Sequence, residues 1–209
     1  MRLIHEIVET GPLLVNCQLL GSPADGTAIL IDPGGDAQKL LARLKGLKLK
    51  LTHIVNTHAH FDHIGAVAEL QKATGCAFWV HPEEQDLVAQ APAHAAFWGM
   101  PFGPVPRIDR TFHDGERLEF PGLTLEVIHT PGHTPGGVCL RWSGGMAVGD
   151  TLFAGSIGRT DFPGGNHNQL IRSIHERILT LADDVACFPG HGPVTNVGRE
   201  RRHNPFLND

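Results

Sequence analysis

Short apolar segments alternate with glycine- and proline-rich breaks along this 209-residue chain. Apolar runs bounded by turn residues are typical of strands that are buried on both faces. Such runs occupy residues 13–20, 28–31, 53–55, 77–80, 123–128, 138–142, 146–148 and 185–188. The pattern therefore predicts a protein rich in buried β-structure.

Helical spacing of apolar residues appears in four stretches between these strands. The predicted helices cover residues 37–47, 64–74, 82–91 and 168–181. Asp36 is predicted to be the N-cap of the first helix, and Gly75 to end the second. Pro82 and the two glutamates that follow it suit a helix N-terminus. The segment 92–106, rich in proline, glycine and bulky apolar residues, predicts a long surface loop.

The order of these elements indicates the architecture. Strands come first, helices follow, and strands and a helix then return, which predicts an α/β fold with two sheets sandwiched between helices. A chain of 209 residues has room for one well-buried core and is short for two ordinary domains. We therefore predict a single domain over residues 1–209.

Composition narrows the classes of function. Hydrophobic residues make up 41% of the chain and charged residues 19%, and the formal net charge of -5 argues against a surface that follows nucleic-acid phosphates. No stretch approaches the roughly 18 apolar residues of a membrane span, and the N-terminus becomes polar too early for a signal peptide. The cysteines are scattered, which predicts a reduced, cytoplasmic protein. They are Cys17, Cys76, Cys139 and Cys187.

Histidine is the unusual residue, with 14 copies against no tyrosine. Three histidines and an aspartate stand in the motif His58-Ala59-His60-Phe61-Asp62-His63, directly after a predicted strand. In an extended turn, His58 and His60 can point the same way, while Asp62 and His63 project from the next helical turn. Imidazole and carboxylate are ligands that suit zinc, iron and manganese. A solvated histidine-rich loop is the alternative, and three further motifs argue against it.

Those three motifs also follow predicted strands, and each offers a potential ligand. His133 lies in the proline- and glycine-rich loop 130–137, Asp150 follows Gly149, and His191 lies in the loop 189–193. Each alone is compatible with a structural turn, but together with the first motif they predict one common site. The candidates are too many for one tetrahedral ion, so they predict two metal ions that share a bridging carboxylate. The seven candidates are His58, His60, Asp62, His63, His133, Asp150 and His191.

This order of ligands resembles the metallo-β-lactamase superfamily. The segments 32–35 (Asp-Pro-Gly-Gly), 158–165 (Gly-Arg-Thr-Asp-Phe-Pro-Gly-Gly) and 203–207 (His-Asn-Pro-Phe-Leu) resemble the short, single-domain glyoxalase II-like hydrolases of bacteria. The resemblance implies the αβ/βα four-layer sandwich and two divalent ions, with zinc expected first and iron or manganese as alternatives. It also implies a ligand set in which one ion is held by His58, His60 and His133, the other by Asp62, His63 and His191, and Asp150 bridges them.

The resemblance further implies hydrolysis of a small-molecule thioester of the S-lactoylglutathione type by a metal-bound hydroxide. A thiol with a pKa of about 8.5 can leave as thiolate with little help from an acid. Asp62 is then also a candidate catalytic residue that orients or deprotonates the water. Arg159 is a candidate for binding a substrate carboxylate, and an ion pair with Asp161 that stabilises the loop is the alternative. Asp32 could be the partner of a ligand histidine or a cap of the turn that follows it.

The chain departs from two-domain glyoxalase II in two respects. We expect no C-terminal helical domain of the kind that supplies much of the glutathione site in those enzymes, and the 209 residues include no tyrosine. The competing function is a mononuclear iron persulfide dioxygenase, which would use only His58, His133 and Asp150. A nuclease is disfavoured by the acidic charge, and a non-catalytic scaffold by the complete ligand set. We therefore expect neither a nucleic acid nor a membrane as partner.

Overall fold

Two sheets lie face to face in the computed structural model, which describes residues 3–208. The first sheet has the order β1-β2-β3-β4-β5-β6, formed by Ile4–Thr10, Val15–Ser22, Thr27–Ile31, Lys50–Val55, Ala77–Val80 and Arg110–Thr111. The second has the order β14-β13-β10-β9-β8-β7. Its strands are β7 (Arg117–Phe120), β8 (Leu123–His129), β9 (Val138–Trp142), β10 (Gly145–Gly149), β13 (Ala186–Pro189) and β14 (Thr195–Asn196), and a separate hairpin pairs β11 (Leu152–Phe153) with β12 (Ser156–Ile157).

Helices cover the outer faces of both sheets. They are α1 (Ala37–Gly46), α2 (Phe61–Ile64), α3 (Val67–Thr74), α4 (Gln85–Phe97), α5 (His167–Ser173) and α6 (Val197–His203), with a 3-10 turn at Pro82–Glu84 and a π-turn at Ile174–Ile178. Among residues 3–208 the structure contains no helix that combines the length and the apolar character of a membrane span.

Strand β3 shows why the central strands are apolar at nearly every position. Its Leu30 packs in a cluster with the helix residues Leu40 and Leu70, whereas Ile29 and Ile31 pack in the cluster between the two sheets. Successive side chains of a strand point to opposite faces, and here both faces are covered. The four-layer α/β architecture explains the uninterrupted apolar runs and confirms the predicted sandwich.

Strand direction brings the predicted ligand turns to one edge of the molecule. Strands β3, β4 and β5 run parallel in the first sheet, and β10 runs parallel to β13 in the second. Strand β8 is antiparallel to β9, which is antiparallel to β10, so β8 and β10 also share a direction. The two edges are joined by backbone hydrogen bonds from Val138 N to Thr57 O (2.9 Å) and from Asn16 N to Gly190 O (2.7 Å).

Most predicted helices and strands are present, and their observed ends differ from the predicted ones by a few residues. The strands predicted at 77–80 and 138–142 have the observed bounds, and the glycine predicted to end a helix, Gly75, adopts a left-handed conformation with φ 71°. The predicted strand 13–20 begins later, at Val15, because Leu14 has a positive φ of 55° in the preceding turn. Strand β7 alternates between apolar and polar residues, and β1 has no more than two apolar residues in succession, so neither forms an apolar run in the sequence.

The prediction of a loop over 92–106 is wrong for its first part, because α4 continues through Pro92 to Phe97. A proline inside a helix removes one backbone hydrogen bond. Alanine has the highest helix propensity, and four of the residues from 91 to 96 are alanines. Ala91 and Ala95 are fully buried, so tertiary packing also favours the helix.

Two other predicted helices have different bounds, and the predicted cap of the first helix is confirmed only in position. Asp36 directly precedes α1, as predicted, but it has φ 53° and its side chain makes no capping hydrogen bond; its Oδ2 instead accepts the backbone N–H of Gly11 at 2.9 Å. The helix predicted over 64–74 is interrupted after Ile64 and resumes at Val67. The helix predicted over 168–181 ends as an α-helix at Ser173 and continues as the π-turn.

Candidate metal centre

The first group of potential ligands comes from two loops, one at the edge of each sheet. His58 and His60 follow β4 and His133 follows β8, and one ring nitrogen of each lies within 4.8 Å of the other two. Nδ1 of His133 lies 2.7 Å from the backbone oxygen of Arg159, so Nδ1 carries the proton and Nε2 keeps its lone pair. Nε2 of His58 and Nε2 of His133 are buried without a hydrogen-bond partner. Because such atoms are costly to leave unpaired, the group fits a bound cation.

The second group is built from α2 and from the loop after β13. Oδ2 of Asp62 lies 3.3 Å from Nε2 of His191 and 3.8 Å from Nε2 of His63. The opposite ring nitrogens are anchored, since Nδ1 of His63 lies 3.1 Å from Asp32 Oδ2 and Nδ1 of His191 lies 3.0 Å from Leu13 O. Both imidazoles therefore direct Nε2 towards the Asp62 carboxylate.

Asp150 lies between the two groups. Its Oδ1 is 3.4 Å from Nε2 of His63, and its Oδ2 is 3.7 Å from Nε2 of both His133 and His191. Two ligands of one tetrahedral ion, each bound at about 2.1 Å, are separated by roughly 3.4 Å. These separations suit ligands around ions, and the position of Asp150 suits a carboxylate shared by two of them.

The two groups differ in their protonation. Burial lowers the pKa of His58 well below its usual value and that of His60 to about 3, and burial lowers the pKa of His133 as well. For His63, burial also opposes the charge, but Asp150 and Asp62 outweigh it and raise the pKa well above the usual value. The pKa of His191 is raised in the same way, against burial, by Asp62 and Asp150. In the metal-free protein the first group is neutral near pH 7 and the second holds protons.

Asp32 supports both the motif and a ligand. Besides its contact with His63, its Oδ1 accepts the backbone N–H of Thr57 at 2.8 Å and its Oδ2 accepts the Thr57 hydroxyl at 2.5 Å. Of the two roles considered for Asp32, the structure shows the partner of a ligand histidine.

Two asparagines that the sequence analysis did not single out hold the ligand loops. Asn56 Nδ2 donates to the backbone oxygens of His58 (3.1 Å) and His63 (3.0 Å), which ties the two halves of the motif together. Asn16 Nδ2 donates to the oxygens of Pro189 (3.0 Å) and Gly192 (2.8 Å), on either side of His191. In the sequence, Asn16 could be recognised only as a polar residue inside the apolar run 13–20.

Glu84, which the sequence pattern places at a helix N-terminus, is a third residue that supports the centre. It is fully buried, its Oε2 accepts the backbone N–H of Ala59 at 2.7 Å, and its Oε1 accepts that of Gly136 at 2.8 Å. Burial raises the pKa of this carboxyl group to about 7, and the Thr134 hydroxyl together with the two backbone N–H groups partly offsets that effect. No sequence pattern separates it from the adjacent Glu83, whose side chain is 57% exposed.

Arg159 lies at the mouth of the centre but is paired within its own loop. Its Nε and one terminal nitrogen each lie 2.8 Å from an oxygen of Asp161, and the guanidinium lies 3.7 Å from the ring centre of Phe162. The ion pair considered as its alternative role is therefore present. Phe162 in turn lies edge-on to His60, with ring centres 5.8 Å apart, and its ring centre is 6.1 Å from that of Trp98.

A cavity of about 180 Å³ adjoins the centre on the Asp62 side. Its walls include the apolar side chains of Leu13, Phe61, Met100 and Phe102. The segment after α4 thus lines the approach to Asp62.

Nine histidines have no predicted ligand role, and five of these, His53, His81, His113, His129 and His175, contribute to neither group. His81 and His129 do form a separate group with Glu83. Their rings are stacked, with centres 4.5 Å apart and planes at 14°. An imidazole lone pair lies in the plane of its ring, so two nearly parallel rings do not aim at one ion.

Two facing sheets with outer helices, and a histidine–aspartate centre at their common edge, define a metal-binding α/β protein of the metallo-hydrolase class. The chain belongs to the metallo-β-lactamase superfamily, whose family model matches residues 10–191.

Relatives along nearly the whole chain agree with that assignment. The chain is 40% identical over 207 residues to the hydroxyacylglutathione hydrolase GloC of Haemophilus influenzae, and the match covers 97% of each protein. The structure is similar to the BLEG-1 B3 metallo-β-lactamase, with a TM-score of 0.92, 37% identity and coverage of 99% of this chain and 100% of that one. It is also similar to TTHA1623 in a di-iron-bound form, with a TM-score of 0.89, 40% identity and coverage of 97% and 100%. These similarities confirm the predicted superfamily and fold.

Proposed function

We propose that this protein is a metal-dependent thioester hydrolase that acts on 2-hydroxyacyl thioesters of the S-lactoylglutathione type. The observation that carries the proposal is the complete second group, Asp62, His63 and His191, with Asp150 in reach of both groups. A centre for a single ion does not need that second group. The similarity to GloC supports a thioester as the substrate class.

We assign one divalent ion to His58, His60 and His133, a second to Asp62, His63 and His191, and the bridging position to Asp150. When bound, the two ions would activate a water molecule and polarise the substrate carbonyl. Zinc is our first choice for both, and iron or manganese are the alternatives. Iron is included among the metals to be tested because TTHA1623 has a di-iron-bound form.

Asp62 is the proposed residue that orients the water. Burial opposes ionisation of its carboxyl group, but His63 and His191 outweigh that effect and keep its pKa below the usual value. An ionised carboxylate accepts a hydrogen bond from water and so directs the oxygen lone pair. The thiol needs no separate acid, because a leaving group with a pKa of about 8.5 departs as thiolate.

Substrate recognition is proposed to use both sides of the centre. The cavity beside Asp62, walled by Leu13, Met100 and Phe102, can accept an apolar part of the substrate. Arg159, already at the mouth and half exposed, can pair with a substrate carboxylate in place of Asp161. With a net charge of -5, we propose neither a nucleic acid nor a membrane as partner. The four cysteines are free and buried, in keeping with the proposed cytoplasmic location.

The test is thioester hydrolysis in the absence of oxygen, measured beside oxygen uptake with glutathione persulfide. Protein loaded with zinc, manganese or iron would be given S-lactoylglutathione, with Asp150→Ala as the inactive control. We expect anaerobic hydrolysis by the wild-type protein. Oxygen consumption by the iron form, with no thioester turnover by any form, would instead assign the protein as a persulfide dioxygenase.

A further inference from the structure

One buried carboxylate connects the two loops that carry the first group of ligands. Ala59, whose N–H is bound by Glu84, stands between His58 and His60. Gly136, whose N–H is bound by the other oxygen of Glu84, stands in the loop that carries His133. The two loops belong to different sheets, so this carboxylate spans the junction at the point where the three histidines meet.

The absence of a side chain at Gly136 leaves room for that carboxylate. A Cβ atom placed on Gly136 would lie 2.8 Å from Cγ and 2.9 Å from Oε1 of Glu84. The side chain is fully buried, and its two oxygens each receive a backbone donor. The neighbouring Glu83 is exposed and makes neither contact. Burial of a carboxylate costs free energy unless its oxygens are hydrogen-bonded, and here the two backbone donors that satisfy it come from the two ligand-bearing loops.

We propose that Glu84 is a positioning residue for the first metal ion, because its carboxylate sets the separation between the His58–His60 turn and the His133 loop. This inference rests on the proposed ligand assignment and is independent of the thioesterase reaction. Glu84 would act as an outer hydrogen-bonding partner: it binds the backbone of the ligand loops and so orients the ligands that they carry.

The second group provides an internal comparison, since other residues support it. Asp32 anchors His63, and Asn16 brackets the loop of His191. Glu84 touches none of these loops through the hydrogen bonds of its side chain. Loss of the Glu84 carboxylate should therefore weaken the first ion and leave the second nearly unchanged.

Glu84→Gln is the variant of choice, with Glu83→Gln as the matched control. Glutamine keeps the volume but has one oxygen, so its amide N–H₂ would face the N–H of Ala59 or of Gly136. Outer partners of metal ligands typically contribute 10–100-fold to affinity. We expect the dissociation constant for Zn²⁺ at the first group to rise by about that factor. The Glu83→Gln protein should bind Zn²⁺ as the wild type does.

The measurement is a titration with Zn²⁺ alone at pH 8, in competition with a chromophoric chelator. Histidine ring signals in ¹H–¹⁵N spectra show which group is filled at each step, because His58, His60 and His133 report on one ion and His63 and His191 on the other. A purely structural role would lower thermal stability without separating the two affinities. Equal Zn²⁺ binding by folded Glu84→Gln and wild-type protein would overturn the proposal.

A second measurement needs no variant and covers the case in which Glu84→Gln does not fold. In the metal-free wild-type protein, the amide protons of Ala59 and Gly136 should be shifted downfield and protected from exchange, as N–H groups bound to a carboxylate are. Both residues lie in loops outside the strands and helices, so protection there would come from this contact. Amides that exchange freely at both positions would reject the role of Glu84 without any reference to thioester activity.

Discussion

The Asp32 carboxylate lies 3.1 Å from Nδ1 of His63 and also accepts the backbone N–H of Thr57 at 2.8 Å. A single side chain at the end of β3 thus orients a potential ligand and holds the end of β4, from which the motif begins. It also makes Nε2 of His63 the nitrogen that is available to the centre. Metal affinity at the second group should therefore depend on a residue that is not itself a ligand.

Asp32→Asn should weaken the second metal ion by about 10–100-fold, because the amide cannot serve all three donors that the carboxylate accepts. The unpaired group should also lower the free energy of unfolding of the metal-free protein by about 1–3 kcal/mol. Competition titration and chemical unfolding measure the two effects. The control is Asp36→Asn, whose carboxylate contacts the Gly11 N–H; if this variant loses metal equally, the effect is not specific to His63.

Binding of the second ion should release protons, whereas binding of the first should not. His63 and His191 have raised pKa values and keep their protons to higher pH than an ordinary histidine does, so an ion must displace those protons. His58, His60 and His133 have lowered pKa values and are already neutral. The affinity of the second ion should therefore rise as pH increases through neutrality, by about tenfold per pH unit for each proton displaced, while that of the first stays nearly flat. Calorimetry in buffers of different ionisation enthalpy counts the protons; equal release in both steps would contradict the assignment.

Gly190→Ala should lower metal content and reduce activity at least tenfold. The added Cβ would lie 2.3 Å from Oδ1 of Asp150 and 2.6 Å from Cε1 of His63, so at least one of these side chains must move. The comparison is Gly46→Ala, where the Cβ meets open space at the end of α1. That change should leave metal content alone and stabilise the protein by up to about 1 kcal/mol. Elemental analysis of both purified variants decides the outcome, and normal metal content in Gly190→Ala would show that the centre tolerates the displacement.

Arg159→Ala should raise KM for anionic thioesters by about tenfold, with metal content unchanged. The side chain is at the mouth, and the contact with His133 Nδ1 is made by the Arg159 backbone oxygen, which the substitution keeps. Asp161→Asn should have the opposite effect on KM, because it releases the guanidinium from its present partner. Steady-state kinetics with S-lactoylglutathione and a neutral thioester test this. Loss of metal in Arg159→Ala would mean that the side chain is structural.

The sequence by itself determined the apolar runs, the strand-end turns and the seven residues that they carry. It could do so because a buried strand is apolar at successive positions, and because ligands that follow parallel strands share an edge. The tertiary structure alone decided that Glu84 and Asn16 support the centre, whereas for Arg159 it shows the ion pair with Asp161 that the sequence already offered as an alternative. Glu84 binds Gly136, 52 positions away, and Asn16 binds Pro189, 173 positions away. Contacts between such distant positions leave no periodic pattern in the chain, because they arise only when the two sheets pack against each other.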